Sequence, residues 1–248
     1  MPRLMNDDMD TMTIPGGSNF QFSAVRPEKL DASEYTLVTL ALDISGSVEP
    51  FKDELLAMVR AIVNACKKHP RSENLVFRLL YFDSEVKEIH GFKLLNDIDP
   101  DNDYQPIDPR FMTALFDATY DAVGATLHYA EALLQQDLDV NGAIYIVTDG
   151  DDNHSGRDAD AVGEMLRKAR QNEDITSLTT ILVGLNLQNP KTRKNLEEFK
   201  ENACLDQFVD VGEATPQKLA KLANFVSQSI SSTSQALHTK TPSATAQF

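Results

Sequence analysis

The 248-residue chain has no Trp and only two Cys, Cys66 and Cys204, and it is short of positive charge: 23 Lys and Arg stand against 38 Asp and Glu, a formal net charge of −15. Each shortage excludes something. Two thiols without CxxC spacing make neither a disulfide framework nor a thiolate zinc site, and read as small core hydrophobes in a reducing compartment. No dense cluster of Lys and Arg overrides the acidic field, which excludes a surface that wraps nucleic acid. Long apolar runs are missing as well. Leu37–Leu42, interrupted by Thr39, is too short to cross a bilayer as a helix. Residues 1–22 carry Arg3 against Asp7, Asp8 and Asp10 and lack the apolar stretch of a secretory signal. Walker A, GxGxxG and HExxH patterns are absent, and His69, His90, His128 and His238 are scattered without ligand spacing. A cytoplasmic protein with no nucleic-acid and no membrane partner is expected.

What is present is enough for a core, since 42% of the residues are apolar. Short β-rich runs alternate with helical patterns, which predicts an α/β sandwich. The strands are expected at Thr36–Leu42, Leu75–Phe82, Glu85–His90, Ala143–Thr148, Thr179–Val183 and Phe208–Val211. Helices are expected at Pro50–Lys68, Thr113–Gln136, Asp158–Arg170, Thr192–Lys200 and Pro216–Ser229. The first helix places Leu55, Val59, Ile62 and Cys66 on one face, with Asp53 and Glu54 at its start and Lys67 and Lys68 at its end, complementing the helix dipole. Only Asp83 and Ser84 separate the second and third strands, so that connection is an antiparallel hairpin. Residues 1–22 and 231–248 read as flexible ends around a domain at 23–230.

The chemistry gathers at strand ends. The first strand runs into Asp43-Ile44-Ser45-Gly46-Ser47, a carboxylate and two hydroxyls at alternate positions past the carboxyl end of a central strand, where open α/β sheets bind ligands. A second set of oxygens, Thr148-Asp149-Gly150, ends the apolar run Ile144–Val147. Thr113 opens the long helix in Thr113-Ala114-Leu115-Phe116-Asp117-Ala118 and has a plain alternative reading as an N-cap. Such all-oxygen ligands suit a hard cation, Mg²⁺ first, with Mn²⁺ or Ca²⁺ as alternatives. Taken alone, the first turn could equally be Asp and Ser side chains capping backbone amides.

In that order, DxSxS, then Thr-Ala-Leu-Phe-Asp-Ala, then an apolar strand into Thr-Asp-Gly, the chain resembles a von Willebrand factor type A (VWA) domain with a complete metal-ion-dependent adhesion site (MIDAS) over roughly residues 34–230. The resemblance implies a Rossmann-like α/β/α sandwich of three layers, whose mostly parallel sheet has one antiparallel edge strand. It implies that Ser45, Ser47 and Thr113 bind the metal through hydroxyls while Asp43 and Asp149 act mainly through water. An Asp or Glu of a partner protein would complete the coordination. It further implies an intracellular adaptor or assembly subunit, with an AAA+ ATPase as a partner, and, in some relatives, a switch that moves the final helix. Gly46, Asp151, Asp152 and Asn153 are candidates for a partner-binding rim, the last three with the alternative of merely solubilising a loop; His154 shares that position.

Other readings of the same residues are weaker. Asp97, Asp99, Asp101, Asp103 and Asp108 have calcium-loop spacing at first, but Asn102 stands where an EF-hand needs Gly and no Glu closes the loop, so a solvated acidic loop bordering the site face is expected. A haloacid-dehalogenase-type phosphatase needs a second Asp where Ser45 stands, and Ser45 lacks the flanking glycines of a nucleophile elbow. No general base is evident, so the protein is expected not to be an enzyme; a metal-dependent phosphoesterase using the same oxygens is the alternative function.

Overall fold

The computed structural model describes residues 8–14, 20–110, 112–172, 175–239, 241 and 248. Its centre is β3 (Glu34–Asp43), buried from its second residue onward, as a strand covered on both faces must be. Parallel neighbours flank it: β4 (Leu75–Phe82) on one side and β6 (Asp139–Thr148) on the other. Outward from β6 lie β7 (Ser177–Leu185) and β8 (Gln207–Gly212), both parallel, and outward from β4 lies β5 (Val86–Leu94), antiparallel as the short hairpin requires.

Helices cover both faces of the sheet. α1 (Lys52–Lys67) and α6 (Pro216–Thr239) pack Leu55, Val59, Ile62, Leu222 and Val226 against Val38, Leu40 and Leu42. On the other face α3 (Leu115–Leu134), α4 (Ala159–Asn172) and α5 (Pro190–Asn202) bring Ala118, Ala122, Val162, Leu166 and Phe199 against Ala41, Leu80, Ile144 and Ile146. The alternation of Leu40 and Leu42 with Ala41 between the two cores is the two-residue period of a strand. The molecule is thus the expected three-layer α/β/α sandwich. Among the described residues no helix is long and apolar enough to cross a membrane.

Both ends are more ordered than their composition predicts. Two strands, β1 (Met9–Thr13) and β2 (Gln21–Val25), form an antiparallel hairpin that extends the sheet beyond β5, giving eight strands in the order β1-β2-β5-β4-β3-β6-β7-β8. Residues 1–22 are therefore not all a flexible segment; residues 1–7 and 15–19 of that stretch lie outside the described ones. The hairpin docks because Met9, Ile14, Phe22 and Ala24 are buried, the last three in a third core with Phe92, Tyr129 and Leu133. β2 runs parallel to β5, and a Cβ built on Gly91 would lie 1.9 Å from the Ser23 carbonyl oxygen, so only glycine permits this approach.

A buried polar network also holds the hairpin. Glu88 accepts from the Ser23 amide at 2.9 Å and hydroxyl at 2.7 Å, and pairs with Arg78 at 2.8 Å, which reaches Asp121 of α3 at 2.7 Å. At the other end α6 runs on to Thr239, past the expected limit at Ser229, so the supposed tail 231–248 begins as helix. Thr233, Ser234, Ala236 and Leu237 are buried there. The Asn141 side chain donates to the Thr233 carbonyl at 2.7 Å, and Arg71 to the Ser234 hydroxyl at 3.2 Å. Small Ser, Thr and Ala side chains let the helix lie close to the sheet, where polar neighbours satisfy it. Residues 240 and 242–247 lie outside the described ones.

Candidate functional site

Register brings the strand ends together. Leu42 pairs with Val147, so Asp43 emerges level with Thr148, and Asp43 itself pairs with Phe82 at the end of β4. Asp43 is 1% exposed. One of its carboxylate oxygens accepts from the Thr148 hydroxyl at 2.6 Å and the other from the Ser45 amide at 2.8 Å. The Ser45 and Ser47 hydroxyls lie 3.1 Å apart, and Ser47 donates to Asp149 at 2.7 Å. Asp43, Ser45, Ser47 and Asp149 thus form one connected cluster of oxygens with Thr148 behind it, while Gly46 and Ser47 face solvent.

Thr113 reaches the same edge by way of its neighbours. Its amide donates to the Asn153 side chain at 2.8 Å, and its carbonyl accepts from the Asn153 amide at 3.0 Å. The next residue, Ala114, donates to the Asp83 carbonyl at 2.7 Å, just beyond Phe82. Thr113 is buried, not exposed as a residue opening a helix would be expected to be. Nor is it the N-cap: the free amides of α3 at Phe116 and Asp117 are met by Asp152 at 3.2 Å and Ser155 at 3.0 Å. No hydrogen bond among the described residues uses the Thr113 hydroxyl.

The rim candidates lie on this edge and also brace it. Asp151 accepts from Thr192 at 3.3 Å and Asn195 at 3.1 Å of α5, Asp152 caps α3, and Asn153 clamps Thr113. Gly46 and Asn153 are exposed. The acidic loop is less free than its charge implies. It contains one helical turn, α2 (Pro100–Asp103), capped by Asp99, and Ile98, Tyr104 and Ile107 anchor it in the core. Arg60 donates to the carbonyls of Pro100 at 3.1 Å and Tyr104 at 2.7 Å, and Lys67 to that of Ile98.

Electrostatically the cluster is short of positive charge. Burial pushes the Asp43 carboxyl up to about 7, against the hydrogen bonds from Thr148 and Ser45 and assisted by the like charge of Asp149. Burial also raises Asp149, against its bond from Ser47. A cation would relieve both. Among the described residues no group of three or more His, Cys, Asp and Glu could hold a metal ion. The donors here are instead two carboxylates with hydroxyls, the hard-oxygen set of Mg²⁺ chemistry rather than the N and S set of zinc. Those residues fit a hard divalent cation, and the Thr113 hydroxyl, which no hydrogen bond among the described residues uses, fits a ligand's role.

No family model matches the sequence and no curated protein matches it. Solved structures do match. A D319A mutant of the PilB minor pilin from Streptococcus sanguinis superposes with a TM-score of 0.59 at 13% identity, over 89% of this chain and 66% of that one. Proximal thread matrix protein 1 from the mussel byssus, solved with a zinc-occupied MIDAS motif, gives 0.52 at 16% identity, over 80% and 46%. The ArnB paralog VWA2 from Sulfolobus acidocaldarius gives 0.50 at 11%, over 89% and 53%.

The chain has the VWA fold. It spans 66% of the length of that pilin and about half of the other two chains. On the VWA sheet edge the structure adds two residues that the sequence reading left out. Asp83 ends an apolar strand just as Asp43 and Asp149 do, a signal that its place in the two-residue Asp83-Ser84 turn hides. It is buried, accepts from the Glu85 amide at 2.9 Å and holds the Thr113 segment through its carbonyl. Arg110 had no signal, since only the tertiary pairing of its backbone with Ser45 brings it to the site.

Proposed function

We propose that this protein is a metal-dependent protein-binding module whose MIDAS is complete: Ser45, Ser47 and Thr113 hold the cation through hydroxyls, and Asp43 and Asp149 support it. One observation carries the reading. Asp43, Ser45, Ser47 and Asp149 are joined by hydrogen bonds at one sheet edge, the Thr113 backbone is tied to Asn153 beyond Asp149, and no hydrogen bond among the described residues uses the Thr113 hydroxyl, which supports its role as a ligand. Neutral hydroxyls leave the cation's charge incompletely balanced, so an Asp or Glu of a partner protein has reason to join it. The metal is Mg²⁺ in this proposal, with Mn²⁺ or Ca²⁺ as substitutes, and the zinc in the byssus protein's MIDAS supports a divalent ion of some kind.

The module acts without catalysis as a cytoplasmic adaptor or assembly subunit, alongside an AAA+ ATPase. The test is calorimetric titration of the metal-free protein with Mg²⁺ and Mn²⁺, followed by capture of partners from the host's lysate in Mg²⁺ and in EDTA, with Asp43→Ala as control bait. Saturable metal binding by the wild type alone, and partners retained only with metal, support the proposal. Absence of metal binding, or an identical set of partners under all conditions, refutes it.

A further inference from the structure

The segment leading to Thr113 carries two exposed side chains that the proposed coordination does not use. The Arg110 amide donates to the Ile44 carbonyl at 2.8 Å, and its backbone bridges Ser45 in parallel fashion. Its anchor is therefore about one strand spacing, roughly 4.8 Å, from the DxSxS turn. The Arg110 side chain is 60% exposed. Its nearest anions are Asp83 at 3.9 Å and Asp108 at 3.6 Å, both beyond hydrogen-bond length. Asp83 already has a closer cation in Lys87 at 3.3 Å. An Arg fork with no bidentate partner, on a fixed backbone, is equipped to take a carboxylate.

Two residues further on, next to Thr113, Met112 is the exposed large apolar side chain among the described residues, at 37%. A single exposed hydrophobe is ordinary. Its place beside both Arg110 and Thr113 is what gives it meaning, because Met adapts its shape to an apolar partner. We infer that Arg110 and Met112 form a second recognition element, and that the partner is an acidic protein segment. It sets one carboxylate on the cation, a second on Arg110, and an apolar side chain on Met112. This rests on the metal-dependent binding proposed above. The overall charge of −15 repels such a segment, so the cation and Arg110 together supply the local attraction that lets it approach.

The experiment pans a random peptide library displayed on phage against the full chain in Mg²⁺, with elution by EDTA, using wild type, Arg110→Glu and Met112→Asp in parallel. Thermal melts show that these surface variants fold. Peptides eluted from wild type are expected to carry two acidic residues and an apolar one. They are expected to bind Arg110→Glu about tenfold or more weakly. Arg110→Glu is expected to select peptides in which Lys or Arg replaces one acidic residue, still eluted by EDTA. Met112→Asp is expected to lose the apolar preference. EDTA-sensitive peptides that bind both variants as tightly as wild type would overturn this inference and leave the binding module standing. If no peptide is EDTA-sensitive, both fall.

Discussion

At Thr113 backbone and side chain have separate tasks: the amide and carbonyl clamp Asn153, while no hydrogen bond among the described residues uses the hydroxyl. Thr113→Ala is therefore expected to lower stability by only about 1 kcal/mol, the cost of trimming a small buried side chain, and to weaken Mg²⁺ binding by a much larger factor. Calorimetric titration and a thermal melt on the same sample check this, and parallel losses in both would show a structural role. His90 behaves differently. It is fully buried, stacked on Tyr104, with its Nδ1 2.8 Å from the Gly91 carbonyl and its Nε2 3.0 Å from the Tyr104 hydroxyl. Burial lowers it from 6.5 to about 4, with Lys93 and Arg78 adding to the shift. Between those values the unfolded chain binds a proton that the folded one does not. The stability is therefore full above 6.5 and is lost as pH falls toward 4, by about 3 kcal/mol at most. Urea unfolding of wild type and His90→Gln across that window, both in EDTA, is expected to show the stability difference, wild type minus variant, falling by up to about 3 kcal/mol as pH drops from 6.5 toward 4; Asp43, which titrates with the opposite sign in both proteins, cancels in that difference.

At the scale of elements, the two end segments follow one rule: packing decides order where composition reads as disorder. The β1–β2 hairpin lies on β5 only because Gly91 leaves room for Ser23. Gly91→Ala is expected to cost about 2–4 kcal/mol and to free the amides of Gln21–Val25 in hydrogen exchange before those of β3. Protection unchanged in β2 would contradict this. Removing residues 232–248, which the sequence reading expects to be harmless, takes away the helix turns carrying Thr233, Ser234 and Leu237 with their links to Asn141 and Arg71. A loss of about 3 kcal/mol or more in urea unfolding is expected. A truncated protein as stable as the full chain would show that these contacts add nothing.

For the whole molecule, binding of a cation to the folded state alone couples metal to stability. At a hundredfold excess over the dissociation constant, Mg²⁺ is expected to add about 2.7 kcal/mol, which is roughly 5–10 °C in melting temperature for a chain of this size. Asp43→Ala is expected to abolish the shift. A Mg²⁺ effect equal in both proteins would mean screening of the net charge of −15 rather than occupation of the site.

The sequence order of the main strands and helices from Glu34 onward and the turns bearing Asp43, Ser45, Ser47 and Asp149 were legible in the sequence, and the family resemblance implied the mostly parallel sheet. The reason is local: apolar runs with a two-residue period end in short polar turns, and each turn carries its own carboxylate and hydroxyls with it. Four things depended on the tertiary structure. The strands Met9–Thr13 and Gln21–Val25 and the end of α6 hold their places through partners such as Glu88, Asn141 and Arg71, far away in the chain. Asp152 and Ser155, from another loop, cap the helix that Thr113 precedes, so the Thr113 hydroxyl is not its cap. Arg110 stands beside Ser45 because a backbone bridge joins segments that no sequence period relates. A pattern along the chain reports what a residue does to its neighbours in sequence, whereas these roles are set by groups that only folding brings within hydrogen-bond reach.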